Sequence, residues 1–244
     1  MDKIVLITGA SSDLGISFIQ ENIAEYTKVV AHYNHKNEAF EALLGAYKEK
    51  ILPMQADFSK REEVERFVQA LKEEKLALTH IVHLVSLPAK SIRFHKSEVD
   101  EYEAMMQVSF YSIVEILKAF IPAMQKQKYG RILFMLSAYT TIPDPKYAAP
   151  YVASKYALLG LMKSVSAEYA AKGITVNGIS PQMIETKFLK EVPELIVEQH
   201  KSVSPLGRLL QKEDILPTMK LLLSDEATAI TGENISITGG NYIL

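Results

Sequence analysis

The sequence predicts an α/β fold: a single doubly wound parallel sheet with helices on both faces. Two observations along its 244 residues lead to this prediction. Short apolar runs alternate with amphipathic helical segments, which is the order expected of repeated β-α units. The runs are rich in β-branched residues and apolar throughout, as in strands that are buried on both faces. The predicted molecule is therefore one Rossmann-like domain covering residues 1–244.

Seven strands are expected. They are Lys3 to Thr8, Lys28 to His32, Ile51 to Gln55, His80 to Val85, Arg131 to Leu136, Ile174 to Ile179 and Asn234 to Thr238. In an open parallel sheet the ligand binds outside the carboxyl ends of the strands, where the strand order reverses. Residues that follow strands are therefore the first candidates for a site.

The helix limits are predicted from periodicity and from capping residues. Asn37 opens the second helix, and Ser59 opens the third through a Ser-x-x-Glu capping box. Ser97 is expected to cap a long fourth helix, bent by Pro122 and ended by Gly130.

Pro150 begins the helix that Gly173 closes, and the last helix runs from Glu213 to Leu223. Between them, residues 181–210 show few periodic signals. A loop of this length inside a compact domain is usually functional, and we expect it to be a substrate lid.

Composition excludes several classes of function. The formal charge is -2 and shows no basic stripe, so no nucleic-acid partner is expected. The absence of cysteine rules out disulfides, thiolate nucleophiles and Cys-ligated zinc, and no metal is predicted. We find no basic leader that would indicate export. We also find no apolar run of about 18 residues that would indicate a membrane span. A cytoplasmic protein without a membrane partner is expected.

Tyr151 and Lys155 are the first candidates for chemistry. Residues i and i+4 share a helix face, so the phenol and the ammonium project side by side. A nearby cation favours the phenolate and lowers the tyrosine pKa. A surface tyrosine beside a solvated lysine is the alternative interpretation of the pair.

A glycine turn, Gly9 to Gly15, follows the first strand and precedes a helix. Backbone amides at such a helix N-terminus can bind a phosphate, although an ordinary helix-start turn explains two glycines equally well. With this turn, Ser137 after the fifth strand and the Tyr151 helix, the sequence resembles the short-chain dehydrogenase/reductase family. The resemblance covers nearly the whole chain, ending with Thr231 to Gly240.

The resemblance implies catalytic roles. Tyr151 is the acid that protonates the alkoxide as hydride arrives, and Lys155 depresses its pKa and bonds the nicotinamide ribose. Ser137 donates a hydrogen bond to the substrate carbonyl. Ser109 stands where the family has an asparagine that completes the proton relay.

The resemblance also implies a dinucleotide cofactor. Asp57 matches the adenine-binding aspartate, with Phe58 beside the ring, although Asp57 also suits a turn. Ile184 and Thr186 match the segment that contacts the nicotinamide carboxamide. The predicted cofactor contacts are Gly9, Ser11, Ser12, Asp13, Leu14, Gly15, Asn34, His35, Lys36, Asp57, Phe58, Val85, Tyr151, Lys155, Pro181, Ile184 and Thr186.

Cofactor choice is predicted from residues 31–36. An acidic residue about 20 positions beyond the turn would bind the ribose 2′-hydroxyl of NAD, and this segment contains none. Asn34, His35 and Lys36 can surround a 2′-phosphate instead. NADP(H) is therefore predicted, with NAD as the alternative.

Four positions depart from the family pattern. Asp13 replaces the middle glycine and would repel pyrophosphate unless it points away. His83 to Ser86 replaces Asn-Asn-Ala-Gly, Ser109 replaces asparagine, and Gln182 replaces a glycine. These departures leave the substrate unidentified.

The leading hypothesis is a reductase of small carbonyl compounds or dehydrogenase of the alcohols, similar to a 3-oxoacyl reductase. A catalytically silent cofactor sensor and a sugar-nucleotide epimerase or dehydratase are the alternatives. The resemblance implies a homotetramer, with a homodimer possible. The substrate pocket is expected to be lined by residues from 87–94, 139–147 and 183–195. Nearby basic side chains either meet an acidic group or are solvated: Lys90, Arg93, His95 and Lys96.

Overall fold

The computed structural model describes residues 2–141, 145–187, 189 and 192–241. It contains one seven-stranded sheet in which every neighbouring pair is parallel. The strands are β1 (Ile4–Thr8), β2 (Lys28–Tyr33), β3 (Ile51–Gln55), β4 (His80–His83), β5 (Gly130–Met135), β6 (Ile174–Pro181) and β7 (Asn234–Ile237). Their order is β3-β2-β1-β4-β5-β6-β7, so the strand order reverses between β1 and β4. The predicted α/β fold is confirmed.

Eight α-helices lie among the described residues. They are α1 (Asp13–Asn22), α2 (Glu38–Ala46), α3 (Arg61–Glu73), α4 (Val99–Met106), α5 (Ser112–Gln127), α6 (Ala149–Tyr169), α7 (Glu194–Val203) and α8 (Lys212–Leu223). A π-helical turn, Gln107–Tyr111, joins α4 to α5.

Two apolar cores cover the two faces of the sheet. Side chains alternate between the faces along each strand, so Leu6 packs in one core while Val5 and Ile7 pack in the other. The first core is formed with α3, α5 and α6, and the second with α1, α2 and α8. Both cores leave the carboxyl ends of the strands accessible to a ligand.

The predicted boundaries of the long fourth helix were wrong. Glu98 caps α4 in a reciprocal capping box with Glu101, while the Ser97 hydroxyl donates to the Phe94 carbonyl. The helix ends at Gln127, where Lys128 is left-handed with φ +53°, and Gly130 already belongs to β5.

The predicted Ser59 capping box was also wrong, because Ser59 is hydrogen-bonded to Asp57 instead. The Ser59 amide and hydroxyl both donate to Asp57 Oδ1, at 3.0 and 2.7 Å. Helix α3 therefore begins at Arg61, and Glu63 rather than Glu62 reaches back to the Asp57 amide at 2.7 Å.

The predicted excursion of residues 181–210 contains α7 and is fixed at its base. Ile184 pairs with Leu210, and the Glu185 amide donates to the Leu210 carbonyl at 2.8 Å. The segment therefore leaves the sheet after β6, and its two ends pair with each other before α8 begins.

The continuous helical stretch Val99–Gln127 is long and apolar enough to cross a membrane by length and composition alone. Half of its most apolar window is buried inside the protein, and a core helix passes the same test. This stretch is weak evidence for a span, and charged residues such as Glu115 and Lys118 interrupt it, so it is not the run of about 18 apolar residues whose absence was predicted.

Candidate active site

Ser137, Tyr151 and Lys155 come together at the carboxyl end of β5. Ser137 directly follows that strand region and starts a short 3₁₀ turn, while Tyr151 and Lys155 lie on the first turns of α6. The Tyr151 side chain is hydrogen-bonded to Ser137, and its ring meets the Tyr139 ring edge-on at 6.1 Å. Lys155 Nζ lies 5.3 Å from the centroid of the Tyr151 ring. The convergence expected from the sequence is present.

The protonation of this set differs from the expectation that Lys155 lowers the tyrosine pKa. Burial raises the pKa of Tyr151 to about 12; the hydrogen bond with Ser137 lowers it in part, and Tyr139 raises it. Burial also lowers the pKa of Lys155 to about 7, and its ammonium donates to the Met135 carbonyl at 2.8 Å. Desolvation is the largest of the effects on the Tyr151 pKa, so Tyr151 is a neutral phenol able to donate a proton.

Ser109 is fully buried in the π-helical turn. Its hydroxyl lies 3.4 Å from Ser86 Oγ and 3.9 Å from Met105 Sδ. Among the described residues no hydrogen bond joins it to Lys155. The relay role of Ser109 stays a prediction that needs an intervening water.

His83 is a residue of this site that the sequence reasoning noted only as a departure. Its Nε2-H donates to the Ser109 carbonyl at 2.8 Å, and its Nδ1 lies 2.8 Å from the Thr8 hydroxyl. Burial lowers the pKa of His83 to about 3, so the ring is neutral. It ties the end of β1 to the π-helical turn.

The glycine turn after β1 requires its glycines. Gly9 has φ +73°, and a Cβ there would lie 3.3 Å from Val85. A Cβ at Gly15 would lie 2.8 Å from two backbone carbonyl oxygens. Ser12 caps α1 by accepting from the Gly15 amide at 3.1 Å, which leaves first-turn amides such as those of Asp13 and Leu14 without helical acceptors. The turn fits the pyrophosphate of a dinucleotide.

Two side chains, those of His32 and Asn37, hold this turn through contacts that the sequence analysis did not predict. The Gly9 amide donates to His32 Nδ1 at 3.1 Å, and His32 Nε2-H donates to the Ala56 carbonyl at 3.0 Å. Burial lowers the pKa of His32 to about 4, which keeps Nδ1 available as an acceptor. Asn37 both caps α2 and donates to the Ser11 carbonyl at 2.8 Å.

Asp13 points away from the turn, towards the excursion of residues 181–210. Its Oδ2 accepts from the Lys187 amide at 2.7 Å, and its Oδ1 lies 3.9 Å from Lys187 Nζ. The carboxylate is thereby committed to the residue after Thr186. This contact explains how an aspartate can occupy an anion-binding turn.

The structure places the residues expected at the adenosine end in different surroundings. Asn34, His35 and Lys36 are exposed beyond β2, with Lys36 Nζ 5.4 Å from the Tyr33 ring centroid. Asp57 serves the turn before α3, as the alternative interpretation expected. The Phe58 ring is buried and stacks on His32 at 3.7 Å, and its place beside an adenine stays a prediction.

The segment expected at the nicotinamide follows β6. Pro181 is the last residue of that strand, and Ile184 is partly buried where it pairs with Leu210. Thr186 lies next to the Asp13 contact, so the segment borders the glycine turn.

A cavity of about 340 Å³ opens beside Tyr151. It is lined by Leu87, Pro88, Lys90, Ile92, Asp100, Glu101, Ala104, Met105, Pro150 and Tyr151. The loop after β4 was expected here, but the contribution of α4 was not. The predicted segments 139–147 and 183–195 do not line this cavity where described; residues 142–144, 188, 190 and 191 lie outside the described residues.

A family model described as "Enoyl-(Acyl carrier protein) reductase" matches residues 9–241. The chain belongs to the short-chain dehydrogenase/reductase family. It is therefore an NAD(P)-dependent oxidoreductase that acts on C=O or CH-OH groups. The described residues contain no group of three His, Asp or Glu side chains suited to a metal ion.

Similar proteins align with the chain over nearly its full length. The 3-oxoacyl-[acyl-carrier-protein] reductase of Staphylococcus aureus is 28% identical, with 100% of this chain and 99% of that protein covered. A solved 4-hydroxyisoleucine dehydrogenase complexed with NADH is 26% identical, with a TM-score of 0.88 and 98% of each chain covered. The structure of ElxO with NADP bound is 24% identical, with a TM-score of 0.86 and 99% coverage of both, and shows the shared fold.

Proposed function

We propose that this family member is an NADP(H)-dependent reductase of small carbonyl compounds, or a dehydrogenase of the corresponding alcohols. The observation that carries the proposal is the half-buried Tyr151 phenol, bonded to Ser137 and bordering a cavity. A proton donor and a carbonyl-binding hydroxyl within one desolvated site suit the reduction of a C=O bond.

When bound, the nicotinamide supplies the hydride that adds to the carbonyl carbon. The Ser137 hydroxyl binds the carbonyl oxygen, where negative charge grows as the C=O π pair moves onto it. Tyr151 then gives its phenolic proton to that oxygen, which yields the alcohol and the oxidised cofactor. Lys155 Nζ lies 5.3 Å from the centroid of the Tyr151 ring and is held by the Met135 carbonyl; because burial lowers its pKa to about 7, it adds a positive charge beside the phenol below that pH.

Support for NADP comes from the exposed loop after β2. Asn34, His35 and Lys36 lie beyond the strand whose end holds the glycine turn through His32. Cationic and amide side chains there suit a 2′-phosphate. Solved neighbours include complexes with NADP and with NADH, so titration of both reduced cofactors decides the choice. Tighter binding of NADH contradicts the proposal.

Neither alternative function has comparable support. A silent sensor needs no proton donor, yet the Ser137-Tyr151 bond is retained. The relatives are about as long as this chain, which does not favour a sugar-nucleotide enzyme with a larger substrate domain. Incubation with NADPH and a panel of ketones tests the first point, because a sensor binds cofactor without turnover.

A homotetramer, or a homodimer, is the assembly we propose. Tyr111 in the π-helical turn and Tyr156 on α6 are large aromatic side chains left 51% and 47% exposed. Exposed aromatic side chains of this kind are typical of protein interfaces. Light scattering that shows a monomer at micromolar concentration contradicts this proposal.

A further inference from the structure

The cavity beside Tyr151 has an apolar floor and apolar walls. Met105 and Pro150, which are buried, line it together with Tyr151. The loop after β4 contributes Leu87, Pro88 and Ile92, and α4 contributes Ala104. A substrate group lying here touches mainly hydrocarbon.

The charged residues of the cavity do not offer a site for an anion. Lys90 is the cation among its ten lining residues, and its Nζ lies 3.3 Å from Glu101 Oε1. The other oxygen of Glu101 accepts from the Glu98 amide at 3.2 Å, so that carboxylate stays in place. Asp100 adds an exposed negative charge, which would repel an anionic group.

The other basic residues of this loop do not change that balance. Arg93, His95 and Lys96 are exposed and do not line the cavity as the structure describes it. The sequence left two interpretations of these side chains, contact with an acidic group of the substrate or solvation in a loop. Their exposed positions agree with solvation.

We infer that the substrate carries an uncharged, apolar chain next to its carbonyl and that this chain occupies the cavity. The inference rests on the proposed reductase function and names its substrate class. A volume of about 340 Å³ holds roughly ten groups the size of a water molecule, at about 30 Å³ each. A free ketone and a 3-oxoacyl thioester both present this chemistry.

The test is a chain-length series with NADPH, run in two arms. One arm uses 2-alkanones from four to ten carbons, and the other uses 3-oxoacyl N-acetylcysteamine thioesters of matching lengths. Each methylene that enters the cavity should raise kcat/KM about fourfold until the cavity is full. The arm with the higher kcat/KM identifies the source of the chain.

Ala104→Phe fills the cavity from α4 and should flatten the rise of kcat/KM with chain length between four and ten carbons. Glu103→Phe is the matched control. It places the same ring on the preceding residue of α4, which is exposed and outside the cavity, and should keep the full chain-length dependence.

Isothermal titration with 2-octanone, without cofactor, gives a readout that does not depend on turnover. Binding to the wild type and to Glu103→Phe, but not to Ala104→Phe, is expected. Equal binding to all three proteins, or kcat/KM that is flat with chain length, overturns the inference. Absence of turnover with every ketone and thioester, together with selective 2-octanone binding, overturns the proposed reaction and leaves the apolar cavity supported.

Discussion

At the scale of single residues, Lys155 serves the reaction, but the burial of its charge lowers the stability of the folded protein. Its ammonium is buried with one carbonyl as acceptor, and burial lowers its pKa to about 7 from an unfolded value of about 10.5. Below pH 7 both the folded and the unfolded chain hold the proton, so the full cost of burying the charge is present. Between about pH 7 and about pH 10.5 the folded lysine is neutral, and that cost fades.

Lys155→Met should therefore abolish turnover and raise the free energy of unfolding by about 1–4 kcal/mol at about pH 6. The gain should shrink as the pH rises towards about 10. Urea unfolding at both pH values measures it. A variant less stable than the wild type at about pH 6 means that the Met135 bond outweighs the cost of the buried charge.

His83 should act as a positioning residue for the π-helical turn. His83→Leu removes the bonds to Ser109 and Thr8, and we expect kcat/KM to fall by at least about tenfold with a shifted pH profile. His83→Gln keeps an amide donor near the position of Nε2 and should recover most of the loss. Equal losses in the two variants, with an unchanged pH profile, would point to packing alone.

Ser109→Ala should cost less than a missing proton donor. The 3.4 Å separation of its hydroxyl from Ser86 Oγ makes a weak bond, and waters can replace one hydroxyl. A loss of the order of tenfold in kcat, about 1.4 kcal/mol, is expected. No change in kcat would remove the hydroxyl from the relay.

Short-range sequence patterns predicted the catalytic residues, whereas the contacts around those residues could be seen only in the folded structure. Tyr151 and Lys155 share a helix face at any i, i+4 spacing, so their juxtaposition follows from sequence. The stacking of Phe58 on His32 joins different strand ends, and nothing local distinguishes that histidine from a solvated one. The same limit applies to the burial that raises the pKa of Tyr151.

At the scale of elements, the Asp13-Lys187 contact joins the glycine turn to the excursion of residues 181–210. Ser12 already caps α1, so the Asp13 carboxylate is not needed by its own helix. We expect Asp13→Ala to speed hydrogen exchange in residues 185–187 of the cofactor-free protein and to speed NADPH release several-fold.

The controls for Asp13→Ala separate the hydrogen bond from the charge. Asp13→Asn keeps an acceptor for the Lys187 amide and should behave as the wild type in exchange. Lys187→Ala leaves that amide in place and should also change little. Unchanged exchange in Asp13→Ala would show that the contact does not hold the excursion.

Element positions were largely predictable, but their irregularities were not. The strands followed from apolar runs, while the π-helical turn Gln107–Tyr111 has no proline or glycine to mark it. It arises where α4 meets α6 and His83 binds the Ser109 carbonyl, which are long-range contacts. Helix α7 was left inside the predicted excursion because the periodic signal of residues 192–197 is short and prolines lie at both flanks of the helix.

At the scale of the whole molecule, buried neutral histidines should set the acid stability. Burial lowers the pKa of His32 and His80 to about 4 and that of His83 to about 3. From about pH 6.5 downwards the unfolded chain binds protons that the folded protein does not, so stability is lost as the pH falls towards about 4. Urea unfolding across this range measures the slope.

His80→Gln tests how much one of these histidines contributes to the change in the free energy of unfolding with pH. His80 lies at the amino end of β4, remote from the glycine turn, and bonds the Leu223 carbonyl at 3.1 Å. Glutamine keeps a donor without titrating, so the dependence on pH should weaken while turnover is unchanged. An identical slope would assign acid sensitivity to other groups.

Comparison of Tyr151→Phe with the wild type tests the central claim most directly, with NADPH affinity and ketone reduction measured on the same preparation. The variant lacks only the phenolic hydroxyl bonded to Ser137. The account predicts NADPH affinity within about threefold of the wild type and a turnover loss of about 10²–10⁴-fold. Tyr151→Phe that reduces ketones as fast as the wild type would contradict the assignment of Tyr151 as the proton donor.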